Sequence, residues 1–145
     1  MIKIICVGKL KEKYLADLVK DYTDRISKYH KIEILELKDS NIDMEEKLIL
    51  KYLSDKDYVI SLDIKGKKLN SIDFKEKIEN LFNDGVSNII FVIGGSLGIS
   101  KNVLKRSNDI ISFSDLTFPH GLFRGILLEQ IYRAFKIINN ESYHK

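Results

Sequence analysis

An α/β fold built on one parallel sheet is what this chain predicts, and three observations carry that expectation. Short apolar runs alternate along the chain with amphipathic stretches, and strands separated by helices give a parallel sheet covered on both faces. One run, Ile89–Ile93, is apolar at every position, as a strand buried on both faces must be. It breaks into three glycines within five positions, Gly94, Gly95 and Gly98. Such a break reads as a buried strand ending in a loop that a ligand can approach closely.

In chain order, strands are expected at Ile2–Val7, Ile32–Leu37, residues 58–62, Ile89–Ile93 and, more weakly, residues 110–113. Tyr14, Leu15, Leu18, Val19, Tyr22, Ile26 and Tyr29 recur at the three-to-four spacing of one helix face and predict a first helix. Met44, Leu48 and Tyr52 predict a second. Ile72, Ile78, Leu81 and Phe82 predict a third, with Gly85 placed where a helix stop belongs. Residues 39–43 and 65–70 read as polar loops, and the only proline, Pro119, opens a last helix over roughly 119–138.

That last helix does not fit a surface helix. At about 100° per residue, Leu122, Phe123, Ile126, Leu127, Leu128, Ile131, Tyr132, Phe135 and Ile138 cover most of its circumference. Glu129, Arg133 and Lys136 form only a narrow charged wedge. A helix apolar nearly all round must be covered on nearly all sides. The expected cover is a second subunit, the alternative being a central helix buried within one domain. Arg124 falls on the apolar side, between Ile131 and Phe135. A guanidinium there needs an anionic or carbonyl partner, either in a structural pair or in a functional contact.

Bulk properties narrow the class. The 145 residues make one ordinary domain, 1–145, able to bury a real core. A hydrophobic content of 44% with 31% charged residues is that of soluble globular chains. No apolar run approaches the ~20 residues of a membrane span, and the opening Met1-Ile2-Lys3 has no signal-peptide layout. The single cysteine, Cys6, allows no internal disulfide and reads as a small core residue. A cytoplasmic protein is the expectation. Residues 1–100 carry 17 basic and 17 acidic side chains, whereas residues 101–145 carry 7 and 4. Three of the four arginines, Arg106, Arg124 and Arg133, also lie there. Such basicity allows contact with a phosphate backbone but is too weak to argue for tight nonspecific binding to nucleic acid.

Several chemistries are excluded by spacing. Glycines at 94, 95 and 98 miss the dinucleotide fingerprint, and no Gly-Lys-Ser/Thr follows to make a phosphate loop. His30, His120 and His144 are too scattered for a metal motif, so no metal is expected. A nucleophile elbow is absent. In a parallel α/β sheet, ligands gather beyond the carboxyl ends of strands. The ends to watch are Leu62-Asp63, Gly94-Gly95 and Phe113-Ser114. Glu129 and Arg133, spaced i, i+4, predict a helix-surface ion pair.

Taken together, Phe91-Val92-Ile93-Gly94-Gly95-Ser96-x-Gly98, Ser112-Phe113-Ser114-x-x-Thr117-Phe118-Pro119-His120, Tyr132-Arg133-Ala134 and the closing Tyr143-His144-Lys145 resemble the RlmH family of SPOUT-superfamily methyltransferases. The resemblance runs from Val7-Gly8-Lys9 to the last residue. It implies a parallel-sheet α/β knot, with a C-terminal trefoil threading that general topology rules would exclude. It implies a homodimer that binds S-adenosylmethionine at the subunit interface. The implied reaction methylates N3 of a pseudouridine in 23S rRNA of the assembled ribosome, with neither membrane nor metal involved. Carried onto this chain, Leu62 and Gly94 would line the cofactor pocket. Phe113, Ser114, Asp115, Leu116, Thr117 and Phe118 would wrap the adenosine with backbone groups. Gly121, Gly125 and Ser142 depart from the family pattern, and each helical glycine costs about 1 kcal/mol relative to alanine.

Methyl transfer from a sulfonium is an in-line displacement in which positioning supplies much of the rate. The target imide must also lose a proton, which calls for a base or for cations that stabilise the developing charge. Arg124 and Arg133 are the candidates for contacting the target ring or phosphates. His144 or Tyr143 would orient or deprotonate the base, on a tail that stays frayed until RNA arrives. The alternative reading is a non-catalytic dimeric α/β module that binds a nucleoside-like ligand.

Overall fold

The computed structural model describes residues 1–145. Its five strands are β1 (Ile2–Val7), β2 (Ile32–Leu37), β3 (Tyr58–Lys68), β4 (Ile89–Ile93) and β5 (Asp109–Ser112). All pairings are parallel, and the spatial order is β2-β1-β4-β3-β5. Helices α1 (Lys13–Ser27), α2 (Ile42–Lys51), α3 (Ser71–Asn83), α4 (Lys101–Arg106) and α5 (His120–Ile138) connect and follow the strands. No helix is long and apolar enough to cross a membrane.

Alternation along the strands divides the core in two. Ile2, Ile4, Cys6, Ile60, Leu62 and Phe91 point to one face, where α1, α3 and α5 bring Val19, Ile26, Phe74, Ile78, Leu127, Leu128 and Ile131. Ile5, Val7, Val59, Ile90 and Val92 point to the other, which is covered more thinly through Ile49 of α2 and Val103 of α4. Strand β4 lies at the centre of the sheet and is buried at all five positions, which is why its sequence carries no polar alternation.

Five expectations need correction. Strand β3 does not stop at Leu62. Residues 63–66 bulge out at the carboxyl rim, and Lys67 then returns to pair with Ile111, the same partner as Leu62. The stretch read as the loop 65–70 is therefore partly strand. Helix α2 turns Glu45 and Ile49 inward and leaves Met44 46% and Tyr52 40% exposed, so its buried face is not the expected Met44–Leu48–Tyr52 face. In α3, Phe74 replaces the exposed Ile72 in the core. Helix α4, six residues capped by Ser100, is too short to have left a periodic signal.

The fifth correction concerns α5. It lies on the sheet between α1 and α3, packed against both. Arg124, Gly125, Leu127, Leu128, Ile131, Tyr132, Ala134 and Phe135 are all buried within the one chain. A central helix thus supplies most of the cover that had been assigned to a second subunit. Gly121 and Gly125 make this packing possible. A Cβ at Gly121 would sit 2.8 Å from Leu15 Cδ1, and one at Gly125 would sit 2.4 Å from Leu18 Cδ2. The leucines of α1 occupy the space that side chains on α5 would have taken.

Candidate active site

A cavity of about 290 Å³ opens at the carboxyl ends of β3, β4 and β5. That is where ligands bind in open parallel sheets, and its size is at the lower end of small-molecule sites. Its walls are mainly apolar: Leu62, Ile93, Ile111, Phe113 and Phe123. The two loops that carry Gly94, Gly95 and Gly98 and residues 112–118 close it, and Asp63, Ser96, Ser112, Ser114, Thr117 and His120 are its polar residues.

The glycine loop is a tight turn that closes on itself. Gly98 N–H donates to the Gly95 carbonyl at 3.0 Å, and Gly98 takes φ +77°. A Cβ on Gly94 would lie 2.6 Å from the Gly98 carbonyl oxygen, so no side chain fits there. Beneath the loop stand two acids of α2. Glu46 accepts from the Ser100 hydroxyl at 2.7 Å. Glu45 is 2% exposed and accepts from Ser40 N–H at 2.9 Å through Oε2. Its Oε1 has no partner and lies 3.6 Å from the position of a Gly95 Cβ.

The second loop is shaped by its own hydroxyls. Ser112 Oγ donates to the Ser114 carbonyl at 3.0 Å, and Ser114 Oγ accepts from Leu116 N–H at 2.9 Å. Phe113 sits edge-on to Phe74 at 5.4 Å and against Phe123 at 5.4 Å, which anchors the loop to α3 and α5. Phe118 stacks on Phe123 at 6.2 Å. Leu116 lines the cavity yet stands 71% exposed, and Leu97 of the glycine loop and Leu122 of α5 are exposed as well.

Of the eight residues singled out for the cofactor, Leu62, Gly94, Phe113, Ser114, Leu116, Thr117 and Phe118 line this cavity. Asp115 does not. Its carboxylate pairs with Lys68. Asp63 and Ile64 of the bulge, Ser96 and His120 also line the wall. The strand-end rule had marked Asp63. Ile64 and His120 carried no spacing signal.

Arg124 lies elsewhere. Only 2% exposed, it donates from Nη1 to Glu36 at 2.6 Å and from Nη2 to the carbonyls of Gly8 at 2.7 Å and Val7 at 3.2 Å. It ties α5 to the carboxyl ends of β1 and β2, and no face of it is open to RNA. The anticipated anionic and carbonyl partners are both present, and they make it a framework residue. Nearby Cys6 is fully buried, and burial pushes its thiol up to about 11.

Arg133, Tyr143 and His144 do come together, at the far end of α5. Arg133 pairs with Glu129 through Nη2 and, at 2.9 Å, through Nε. Its Nη1 lies 3.0 Å from His144 Nδ1. The Tyr143 ring stands edge-on to Tyr132 at 5.0 Å beneath the Arg133 guanidinium, with its hydroxyl 3.3 Å from Glu129. Burial, reinforced by hydrogen bonding with Tyr22 and by the Glu129 charge, raises the Tyr143 phenol well above its usual range. The tail is thus docked instead of frayed, because Tyr143 has an aromatic shelf to rest on. Glu141, held by Lys136 at 3.0 Å and Tyr29 at 2.8 Å, pins the turn before it.

No group of three or more His, Cys, Asp or Glu side chains is placed to hold a metal ion. The cavity does suit the nucleoside half of a methyl donor. Its apolar walls can hold a purine, and its loops offer main-chain donors and acceptors.

Comparisons with known proteins agree with this geometry. The family model described as "Predicted SPOUT methyltransferase" matches residues 1–144. Ribosomal RNA large subunit methyltransferase H of Clostridium botulinum strain Hall is 50% identical, with 99% of each chain covered. The protein of that name from strain Langeland is 51% identical over the same shares. Among solved structures, a probable methylase family protein from Haemophilus influenzae superposes with a TM-score of 0.59 at 13% identity, covering 99% of this chain and 70% of that one. The tRNA (m1G37) methyltransferase of Aquifex aeolicus gives 0.55 at 14% identity, covering 91% and 69%. At such identities these two likenesses speak to the fold alone. The full-length family match and the 50% identical relatives settle the kinship: this chain belongs to the SPOUT methyltransferases, among the ribosomal RNA large subunit methyltransferase H proteins.

Proposed function

We propose that this protein is an S-adenosylmethionine-dependent methyltransferase acting on N3 of a pseudouridine in 23S rRNA of the assembled ribosome. The observation that carries the reading is the cavity at the ends of β3, β4 and β5, walled by the glycine loop and by residues 112–118. The names of relatives 50% identical over 99% of both chains support the ribosomal RNA substrate. When bound, the donor supplies an electrophilic methyl group. The chain's own part is to grip the nucleoside with backbone groups, keep water from the apolar walls and bring the target nitrogen into line.

The working unit is a homodimer. Helix α5 carries His120 at the cavity and Arg133 thirteen residues on, and at ~1.5 Å per residue these lie about 20 Å apart. One chain cannot bring its own tail to its own cavity, whereas a two-fold partner can. Leu97, Leu116 and Leu122, exposed around the cavity mouth, supply apolar surface for that contact. In this reading residues 1–145 are one cytoplasmic domain, and the segment after β5 threads behind the glycine loop as a knot.

Incubating the protein with methyl-labelled donor and ribosomes from a methylation-deficient strain tests the proposal. Label in 23S rRNA at a pseudouridine supports it. Binding of donor with no transfer to any ribosome would leave a nucleoside-binding module in its place.

A further inference from the structure

Four donors converge on one carboxylate at the end of α5. Glu129 accepts from Arg133 Nε and Nη2, from the Tyr143 hydroxyl at 3.3 Å and from Gln130 Nε2 at 3.1 Å. The two-pronged grip on Arg133 fixes the plane of the guanidinium, and the Tyr143 ring lies against it at 4.9 Å. One arm is left free. Nη1 points at the tail and stands 3.0 Å from His144 Nδ1.

That contact has only one chemical sense. A guanidinium donates and cannot accept, so His144 Nδ1 must carry its lone pair there. A proton on Nδ1 would set two donors face to face. The single ring proton of a neutral imidazole then resides on Nε2, and the exposed edge of His144 is a donor with no free lone pair. We propose that Glu129 is a positioning residue that acts through Arg133 to present His144 as an Nε2–H donor to a carbonyl oxygen of the target ring, so that His144 does not remove the imide proton.

This rests on the methyl-transfer reading above and decides a question it leaves open. As the imide ionises, its N–H proton passes to solvent water and negative charge spreads to the ring oxygens. The nitrogen lone pair then forms the N–CH3 bond, while the S–CH3 bond breaks and leaves its electron pair on sulfur. A fixed N–H aimed at a ring oxygen stabilises that charge as a preorganised donor does. Tyr143 cannot be the base either, since its phenol is held protonated by burial and faces a carboxylate.

The tautomer can be read without any activity, from two-bond nitrogen–proton correlation spectra of the full-length protein with labelled histidine at neutral pH. The expected spectrum places the His144 proton on Nε2 and leaves Nδ1 unprotonated. In Glu129→Gln and in Arg133→Lys the signal should move to an average of both tautomers. A wild-type proton on Nδ1, or variants with unchanged His144 signals, overturns the positioning claim. Turnover on ribosomes supplies the other arm. His144→Ala should lower kcat on the order of 100-fold, with the KM for donor unchanged. His144→Gln, whose amide donates but takes no proton, should recover much of it. Glutamine as poor as alanine overturns the donor role. A wild-type protein that methylates no ribosome sinks the functional reading, while the tautomer result stands or falls separately.

Discussion

The pocket at the carboxyl rim is built from backbone, whereas the cluster at the far end of α5 is built from side chains. Around the cavity, Gly94 and Gly98 matter for what they lack, and Ser112 and Ser114 spend their hydroxyls on shaping their own turn. In the cluster, Glu129, Arg133, Tyr143 and His144 each present a charged or polar head to the next. A nucleoside can be gripped by main-chain groups that any sequence provides, so its site tolerates change except where a Cβ would intrude. A proton-bearing contact to a reacting ring depends on particular donors, so its site tolerates little.

The largest effect expected tests whether Arg124 belongs to either region. As the buried link from α5 to Glu36, Val7 and Gly8, it belongs to the frame that holds both. Arg124→Ala should destabilise the fold by about 2–3 kcal/mol, because it leaves the Val7 and Gly8 carbonyls without their donor and unties α5 from Glu36. Urea unfolding measures it. A variant that unfolds at the wild-type midpoint yet loses turnover would return Arg124 to the reaction.

Next comes a direct break of the backbone-built site. In Gly94→Ala the new Cβ would meet Gly98 O at 2.6 Å and Gly98 C at 2.7 Å, and both obstacles are backbone. The loop must open, at about 2 kcal/mol, which is roughly 30-fold in donor affinity by titration calorimetry. His144→Ala should leave that affinity within about twofold. Equal losses from both variants would erase the distinction between the regions.

The same contrast explains what could be read from the residues alone. All five strands were visible because a sheet buried on both faces writes apolar runs, and Ile89–Ile93 wrote the clearest. Helix α4 was not visible, since six residues complete fewer than two turns. Nor was the inward face of α2, where Glu45 is buried against the usual preference of its residue type. The cavity was legible only as strand ends and glycines. Its wrapping by residues 113–118 came from family resemblance, because backbone contacts leave no side-chain pattern. The tail cluster showed Glu129 and Arg133 as a helical pair, but their convergence with His144 needs the chain reversal after α5, which periodicity cannot foresee.

A smaller effect probes the dry layer beneath both regions. Burial raises the Cys6 thiol from 9.0 to about 11, opposed in part by the Arg124 charge and helped least by Glu36. Above pH 9 the unfolded chain gives up this proton while the folded chain keeps it, so stability falls as pH rises between about 9 and 11. The slope is about 1.4 kcal/mol per unit. Urea midpoints at pH 8, 9 and 10 should show that decline in the wild type and less of it in Cys6→Ala. Parallel declines in both proteins would mean that the thiol reaches water.

The smallest expected effect concerns the helix that carries both regions, and its sign is set by two opposing contributions. Gly125→Ala gains about 1 kcal/mol of helix propensity. It also places a Cβ 2.4 Å from Leu18 Cδ2 and 3.0 Å from Leu18 Cγ, where overpacking costs about 1–3 kcal/mol. Leu18 is only partly buried and meets the new atom with the end of its side chain, so it can swing aside at the lower end of that range. The net loss should stay below about 1 kcal/mol. In a Leu18→Ala background the obstacle is gone, and Gly125→Ala should become stabilising by up to about 1 kcal/mol. If the substitution costs the same in both backgrounds, close approach of α1 is not the reason that glycine stands at 125.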